Sequence, residues 1–225
     1  MNELLLKIDL HVHTCYSIDA GTTPEEVVTY SKKHGLDGVA ITDHDTLKGA
    51  LKLTNQKELL VIPGIEITTL DGHVLALNVR EEVLPRMPLS ETIRRIHELG
   101  GIAVAAHPKT LYKGIGQQIA SSLGFDAIEV INSSAFPFFF STYLSRKVAL
   151  RLNLPQVAGS DAHFPSEIGF AYTVVDADPE IDEIVHAIKN GATVPCGKPI
   201  PWKLKIEREY LKLKKKLYKF STEYC

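Results

Sequence analysis

Sulfur and tryptophan are scarce in this chain: three cysteines, two methionines and one tryptophan among 225 residues. Three cysteines (Cys15, Cys196 and Cys225) make no disulfide framework, so a reducing, cytoplasmic setting is the default expectation. Long apolar runs are missing too. Nothing approaches the roughly 18 residues of a membrane span, and LLLKIDL near the start is broken by charge too early for a signal peptide. Neither sign of charge is in excess: 25 Lys and Arg stand against 27 Asp and Glu, a formal net of −2. That balance removes any global pull toward nucleic acid or membrane, and no membrane partner is expected. There is no G-x-G-x-x-G run for a dinucleotide and no internal repeat.

What is present is an alternation of strand-like and helix-like segments, in a chain 44% hydrophobic and long enough for one large buried core. LLLKIDLHV reads as a buried strand. PEEVVTYSKKHG carries helix start and stop signals. GVAIT is a strand and TLKGALKLT a short helix. ELLVIPGIEITT and HVLALNV are both extended, with a tight turn expected at Asp71 and Gly72. LSETIRRIHELGG is a helix with Ser90 as its expected N-cap and Ile93, Ile96 and Leu99 on one face. IAVAAHP, AIEVIN and QVAGSDAH are strands, the last two separated by a helix expected from Tyr143 to Asn153. FAYTVVD, PEIDEIVHAIKNG and TVPCG close the series as strand, helix and strand. The repeating order predicts an α/β fold with parallel pairing, and seven or so units in about 200 residues suit a small single-domain barrel. That barrel is expected over residues 1–199. Residues 200–225 read as a basic amphipathic helix: from Trp202 on there are eight Lys or Arg against three Glu, a net of +5. Its stripe of Ile206, Tyr210, Leu213, Leu217 and Phe220 is expected to dock it on the barrel.

Four runs then stand out at the ends of apolar strands: DLHVHT with His11 and His13, TDHD with His44 between Asp43 and Asp45, AHP with His107, and GSDAH with Asp161 and His163. Side chains two apart on a strand point the same way, so His11 and His13 share a face, as do Asp161 and His163. Imidazole and carboxylate are the donors that borderline and hard divalent metals take. A lone histidine in a strand is more often structural, but several apolar strands ending in such groups point to metal-assisted hydrolysis. Asp9 is expected to support the first pair rather than bind metal. His34, His97 and His186 lie within helices and read as surface residues, and Cys15 as a small buried hydrophobe.

The four runs resemble those of the PHP (polymerase and histidinol phosphatase) family, over Ile8 to His163. The resemblance implies a distorted (β/α)7 barrel with two or three divalent ions at the carboxyl ends of the strands. It implies a first ion on His11, His13, Glu66 and Asp161, a second on Glu66, His73 and His107, and a third on Asp19, His44 and His163. A carboxylate at Asp19, where some members carry histidine, tilts that ion toward manganese or iron over zinc. The implied reaction is attack of metal-bound hydroxide on a phosphate ester.

Around this set, Asp43 and Asp45 are candidates for proton transfer or for orienting a ligand. Lys109, Arg146 and Asn132 are candidates for substrate contact. Phe136, Phe138, Phe139 and Phe140 are expected to pack in the core. The first functional expectation is a phosphatase of small phosphomonoesters, such as a nucleotide or a histidinol-phosphate-like compound. An exonuclease-type phosphodiesterase on oligonucleotide ends, anchored by the basic tail, is the alternative, and a non-catalytic RNA-binding scaffold the third. Oligomeric state is open.

Overall fold

The computed structural model describes residues 5–108 and 124–218, with side chains as far as residue 213. Its elements are β1 (Leu5–Val12), α1 (Pro24–Lys33), β2 (Gly38–Ile41), α2 (Lys48–Leu53), β3 (Leu60–Thr68), β4 (His73–Leu77), α3 (Leu89–Glu98) and β5 (Ile102–Ala105). Then come β6 (Ala127–Asn132), α4 (Phe138–Leu152), β7 (Gln156–Gly159), β8 (Ala171–Asp176), α5 (Ile181–Asn190), β9 (Thr193–Gly197) and α6 (Trp202–Tyr218). One sheet joins the strands in the order β7-β6-β5-β4-β3-β2-β1-β8-β9.

The sheet curls into a nearly closed barrel. Beyond the end of β7, Asp161 N–H donates to His11 C=O at 2.8 Å and His13 N–H to Ala162 C=O at 2.9 Å. Thr173 on β8 adds its hydroxyl to both the N–H and the C=O of Ala158 on β7, at 2.8 and 3.0 Å. Gly159 makes this closure possible, because a Cβ there would lie 2.4 Å from His11 Cβ and 2.8 Å from His11 N.

Alternation along the strands splits the apolar residues into two cores. Val74, Ala76, Ala103 and Ala105 face outward with Val27, Leu53, Ile93, Ile96 and Ala149 of the helices. Leu75, Leu77, Ile102, Val104, Ile8, Ile62 and Val157 face the enclosed side, with Ile184, Val185 and Ile188 of α5. Helix α5 thus seals one end of the barrel, where Asn78 Nδ2 meets Asp182 Oδ1 at 3.0 Å. The other end, where β1, β2, β3, β5, β6 and β7 finish, stays open as the mouth.

Several expectations shift here. Parallel pairing holds for β1–β2, β2–β3, β5–β6 and β6–β7. It fails for β3–β4, β4–β5, β1–β8 and β8–β9, which are antiparallel. The physical reason for β4 is the short turn before it, closed by Thr69 N–H to Gly72 C=O at 2.9 Å, since a hairpin reverses the chain. Ser90 is not an N-cap. Helix α3 begins at Leu89, whose N–H is satisfied instead by the Asp71 carboxylate of that turn at 3.0 Å. Helix α1 does start as read, with a capping box between Thr23 and Glu26.

Helix α4 begins at Phe138, five residues before the expected start, so the phenylalanine run forms its first turn. Phe138 packs on the core. Phe136, Phe139 and Phe140 are exposed instead of buried. Cys15 is half-buried and disulfide-bonded, not a buried thiol. Helix α6 is turned over relative to the expected docking: Trp202, Ile206, Tyr210 and Leu213 face solvent. Leu204, Lys205, Arg208, Leu211 and Lys212 are the partly buried side.

Candidate metal centre

Two bulges aim side chains into the mouth. On β1, Asp9 pairs with Val39 but Val12 with Ile41, three steps against two. Leu6, Ile8 and Leu10 alternate into the enclosed core; the extra residue then breaks the alternation, so His11 and His13 turn toward the mouth and Val12 turns outward. On β6, Glu129 pairs with Val157 and Ile131 with Ala158, two steps against one. Glu129 and Asn132, three apart, therefore both reach the site, where Asn132 Nδ2 donates to Glu129 Oε2 at 3.1 Å and lies 3.3 Å from Asp161 Oδ2. Asp45, His107 and Asp161, just past β2, β5 and β7, all take positive φ (55°, 28° and 55°). Such left-handed backbone is strained for non-glycine residues and is concentrated here at the mouth.

Glu66, fully buried on β3, is the hub. Its Oε1 lies 2.6 Å from His73 Nδ1 and 3.0 Å from His107 Nε2. Its Oε2 lies 3.3 Å from His11 Nε2, 3.2 Å from His13 Nε2 and 3.1 Å from His44 Nδ1. Asp161 Oδ1 faces the first pair from the other side, 3.6 Å from His11 Nε2 and 3.3 Å from His13 Nε2. A further corner holds His163 Nε2 at 3.1 Å and His44 Nε2 at 3.9 Å from Asp19 Oδ2. All nine residues named as ligands by resemblance thus lie in one cluster. His44 sits between the groupings: it shares ligand-range spacing with Glu66 and His73, and also with His13 and His163.

Outer partners set which imidazole nitrogen faces inward. His11 Nδ1 is 3.0 Å from Glu129 Oε1, His163 Nδ1 is 3.0 Å from Asp161 C=O, and His13 Nδ1 is 3.2 Å from Ser17 Oγ. Ser17 in turn donates to Asp43 Oδ1 at 3.1 Å. A proton on each Nδ1 leaves the three Nε2 lone pairs pointing at the centre. By sequence Glu129 stands with Asn132 at the end of the AIEVIN strand near the expected mouth, without an assigned role, although a carboxylate inside an apolar strand is the signal that marks it. Glu129→Gln is expected to keep the fold and weaken metal affinity about 10–100-fold, the usual loss for an orienting carboxylate. Calorimetric titration of manganese into metal-free protein checks this, and an affinity equal to wild type would remove Glu129 from the role.

Asp43 is fully buried and accepts from Thr14 N–H and Thr14 Oγ1, both at 2.6 Å, besides Ser17. It clamps the first-motif loop, and Gly49 has no side chain because a Cβ would lie 2.1 Å from Asp43 Oδ2. Asp45 Oδ1 accepts Thr68 N–H at 2.7 Å and braces the end of β3. Asn132 is in the site, as above. Arg146 is exposed on α4. Lys109 lies outside the described residues.

Charge in the cluster follows from burial against attraction. Burial works against a protonated His11, but the carboxylates of Glu129, Asp161 and Glu66 outweigh it and raise its pKa well above the usual value. His13 is raised to about 9, burial again being overcome by Asp161 and Glu66. Burial alone would raise Glu66, yet His11 and His44 hold it well below the ordinary carboxylate range. His44 drops to about 3, through burial and the neighbouring His13 and His163. Asp9, buried behind the first pair, rises to about 6 because burial outweighs the bonds it accepts from Ser160, Gly169 and His11. It supports the His11 segment from behind: Ser160 N–H at 2.8 Å and Gly169 N–H at 2.9 Å end on it.

The residues fit divalent cations. Glu66 Oε2 and Asp19 Oδ1 are buried with no hydrogen-bond partner, an expensive state unless a cation supplies the missing contact. A barrel whose mouth gathers six histidines around carboxylates defines the class of metal-dependent hydrolases. The chain belongs to the PHP family: the family model described as PHP domain matches residues 9–119, and that described as PHP-associated matches 142–193. Among relatives, an uncharacterized protein of Methanocaldococcus jannaschii, MJ1587, is 35% identical over 142 residues, spanning 57% of this chain and 82% of that one. Two solved structures share the fold. A two-domain protein of Bacteroides vulgatus, containing a predicted PHP-like metal-dependent phosphoesterase, superposes with a TM-score of 0.69 at 19% identity, covering 93% of this chain and 70% of that one. The lesion-specific endonuclease PfuEndoQ of Pyrococcus furiosus gives 0.67 at 20% identity, covering 86% and 59%. Among the described residues no helix is long and apolar enough to cross a membrane.

Proposed function

We propose that this PHP-family phosphoesterase hydrolyses small phosphomonoesters with two or three divalent ions of manganese, iron or zinc. One observation carries the reading: the two oxygens of buried Glu66 face two different sets of imidazoles, the arrangement a bridging carboxylate needs. His11, His13, Asp161 and Glu66 would hold one ion, Glu66, His73 and His107 a second, and Asp19, His44 and His163 a third. Such ions supply Lewis acidity, activating water and offsetting charge on phosphoryl oxygens. The chain's own groups do the rest. Glu129, Ser17 and the Asp161 carbonyl hold imidazoles in one tautomer. Asp43 and Asp45 brace the loops that carry His13 and His44 and the end of the strand that carries Glu66. Asn132 ties Asp161 to Glu129 at the edge where a substrate enters.

An exonuclease-type reaction on oligonucleotide ends is the second reading, favoured by the cationic side of α6 lying at the mouth and by the endonuclease among the structural neighbours. Release of phosphate from p-nitrophenyl phosphate and from nucleoside monophosphates, with added manganese, tests the first. Turnover of oligonucleotides alone would select the second, and no turnover of either would leave the scaffold reading.

The raised histidines give a pH dependence. Metal binds neutral imidazole, so protons held by His11 and His13 must leave when ions enter. Affinity is therefore expected to rise with pH toward about 9, by about tenfold per pH unit for each proton displaced. The metal-free protein should move the other way. Its imidazolium–carboxylate attractions are fully present below the unfolded histidine value of about 6.5 and fade as pH climbs through about 9. Manganese titrations and melts between about pH 6.5 and about pH 8.5 read both trends, and a flat affinity would contradict the assignment.

A further inference from the structure

We infer that Lys212 of helix α6 is a phosphate-binding residue of this site, held in place by Arg208. Helix α6 begins at Trp202, beyond both family-model matches, the later of which ends at residue 193. It nevertheless reaches the metal centre. Lys212 Nζ lies 3.8 Å from Asp19 Oδ2, the oxygen that His163 Nε2 approaches at 3.1 Å. Lys205, Arg208 and Lys212 are spaced three and four apart and so share one face.

That face is fastened at two points other than Lys212. Arg208 Nη1 donates to Ser134 Oγ at 2.7 Å and lies 3.4 Å from Glu167 Oε1. Glu167 Oε2 accepts His163 N–H at 2.9 Å, so the arginine is tied to the backbone of a ligand. Lys205 Nζ donates to Ser134 C=O at 3.2 Å. Arg208 is almost fully covered, whereas Lys212 stays 28% exposed beside a 32% exposed Asp19.

The Lys212–Asp19 approach is too long for a hydrogen bond, and a half-exposed pair of this kind contributes little to docking. Its geometry has a better use. Asp19 would hold a cation together with His44 and His163, and the ammonium beside it would then lose its attraction to this carboxylate. An anionic phosphoryl oxygen on the same corner restores a partner of the right sign. Among the described residues, Ile206, Tyr210 and Leu213 face solvent while Lys205, Arg208 and Lys212 face the site. This inference rests on the phosphoesterase reading, and it names the protein contact that a phosphoryl group meets outside the metals.

The test uses the full chain loaded with manganese. Inorganic phosphate binding is measured by calorimetry and p-nitrophenyl phosphate turnover by steady-state kinetics, with metal content from elemental analysis. In Lys212→Gln, phosphate Kd and KM are expected to rise about 10–100-fold, the loss of one charge-assisted bond, with kcat less affected and metal content unchanged. Lys212→Arg should recover most of the affinity. Arg208→Gln should weaken phosphate as well, with a lowered melting temperature that Lys212→Gln lacks. Unchanged phosphate Kd in Lys212→Gln would overturn the inference, as would a gain of bound metal with phosphate affinity intact. A wild-type protein that binds phosphate but hydrolyses nothing would sink the hydrolase reading and leave this contact to stand or fall on its own titration.

Discussion

Glu66→Gln should abolish metal-dependent hydrolysis, lowering kcat/KM by on the order of 10³-fold or more, equivalent to about 4 kcal/mol of transition-state stabilisation. The substitution keeps size and shape and removes one oxygen. A glutamine amide offers a single acceptor, so it can serve the His73 and His107 side or the His11, His13 and His44 side, but not both. Its NH₂ would point hydrogens at imidazole nitrogens on the other side, where a cation belongs. The number of bound ions per chain should fall with the rate, and elemental analysis after dialysis reads that directly. The metal-free variant should still fold, since the barrel's two apolar cores do not depend on this residue. It loses the attraction between Glu66 and protonated His11, so the melting temperature should fall modestly, and His11 and His13 should titrate lower than in the wild type. A variant that retained full metal content and a rate within tenfold of wild type would remove Glu66 from the centre of the mechanism.

The parts of this site that were legible in the sequence are those carried by local rules. His11 and His13 end a buried strand two residues apart, and period-two alternation puts them on one side, which the β1 bulge aims into the mouth. Asp161 and His163 were read by the same rule, but they lie past the end of β7, where Asp161 takes a φ of 55°, so the turn of the chain and not strand alternation brings them to the site. Glu66, His73 and Asp19 were named by resemblance, since nothing local distinguishes GIEIT or GHVLA from ordinary strands. The β6 bulge hid the role of Glu129 and its tie to Asn132. One inserted residue in β6 brings Glu129 and Asn132 onto the same side against the alternation, and no periodicity announces an insertion. Parallel pairing was over-extended because strand–helix repetition says nothing about β4, whose direction is decided by a four-residue turn, or about β8, which pairs back on β1. Helix α6 was misread for another reason. An apolar stripe is normally the buried one, but the surface it rests against offers Glu167 and Ser134, and those groups select Arg208 and Lys205 instead.

Gly159→Ala should be strongly destabilising, with a loss of about 2–4 kcal/mol, the sum expected for overpacking a closed interface and straining its hydrogen bonds. The new Cβ would sit 2.4 Å from His11 Cβ, 2.8 Å from His11 N and 3.0 Å from Glu129 Oε1. Two of those three atoms belong to β1 beside its bulge and cannot rotate away. The relief is to move β7 off β1, which stretches the Asp161-to-His11 and His13-to-Ala162 bonds that close the barrel. For a chain of this size the melting temperature should drop by roughly 4–16 °C. Metal affinity should fall too, since the same shift loosens the Glu129 contact that orients His11. Gly35→Ala is the informative control: Gly35 also has no side chain, but its φ is 66° and nothing lies within 4 Å of where a Cβ would sit. It should cost only the left-handed backbone penalty of about 1 kcal/mol and leave metal binding untouched. If Gly159→Ala melted like Gly35→Ala and bound manganese like the wild type, β7 would not be pressed against β1. The seam that brings Asp161 to His11 and His13 would then need another explanation.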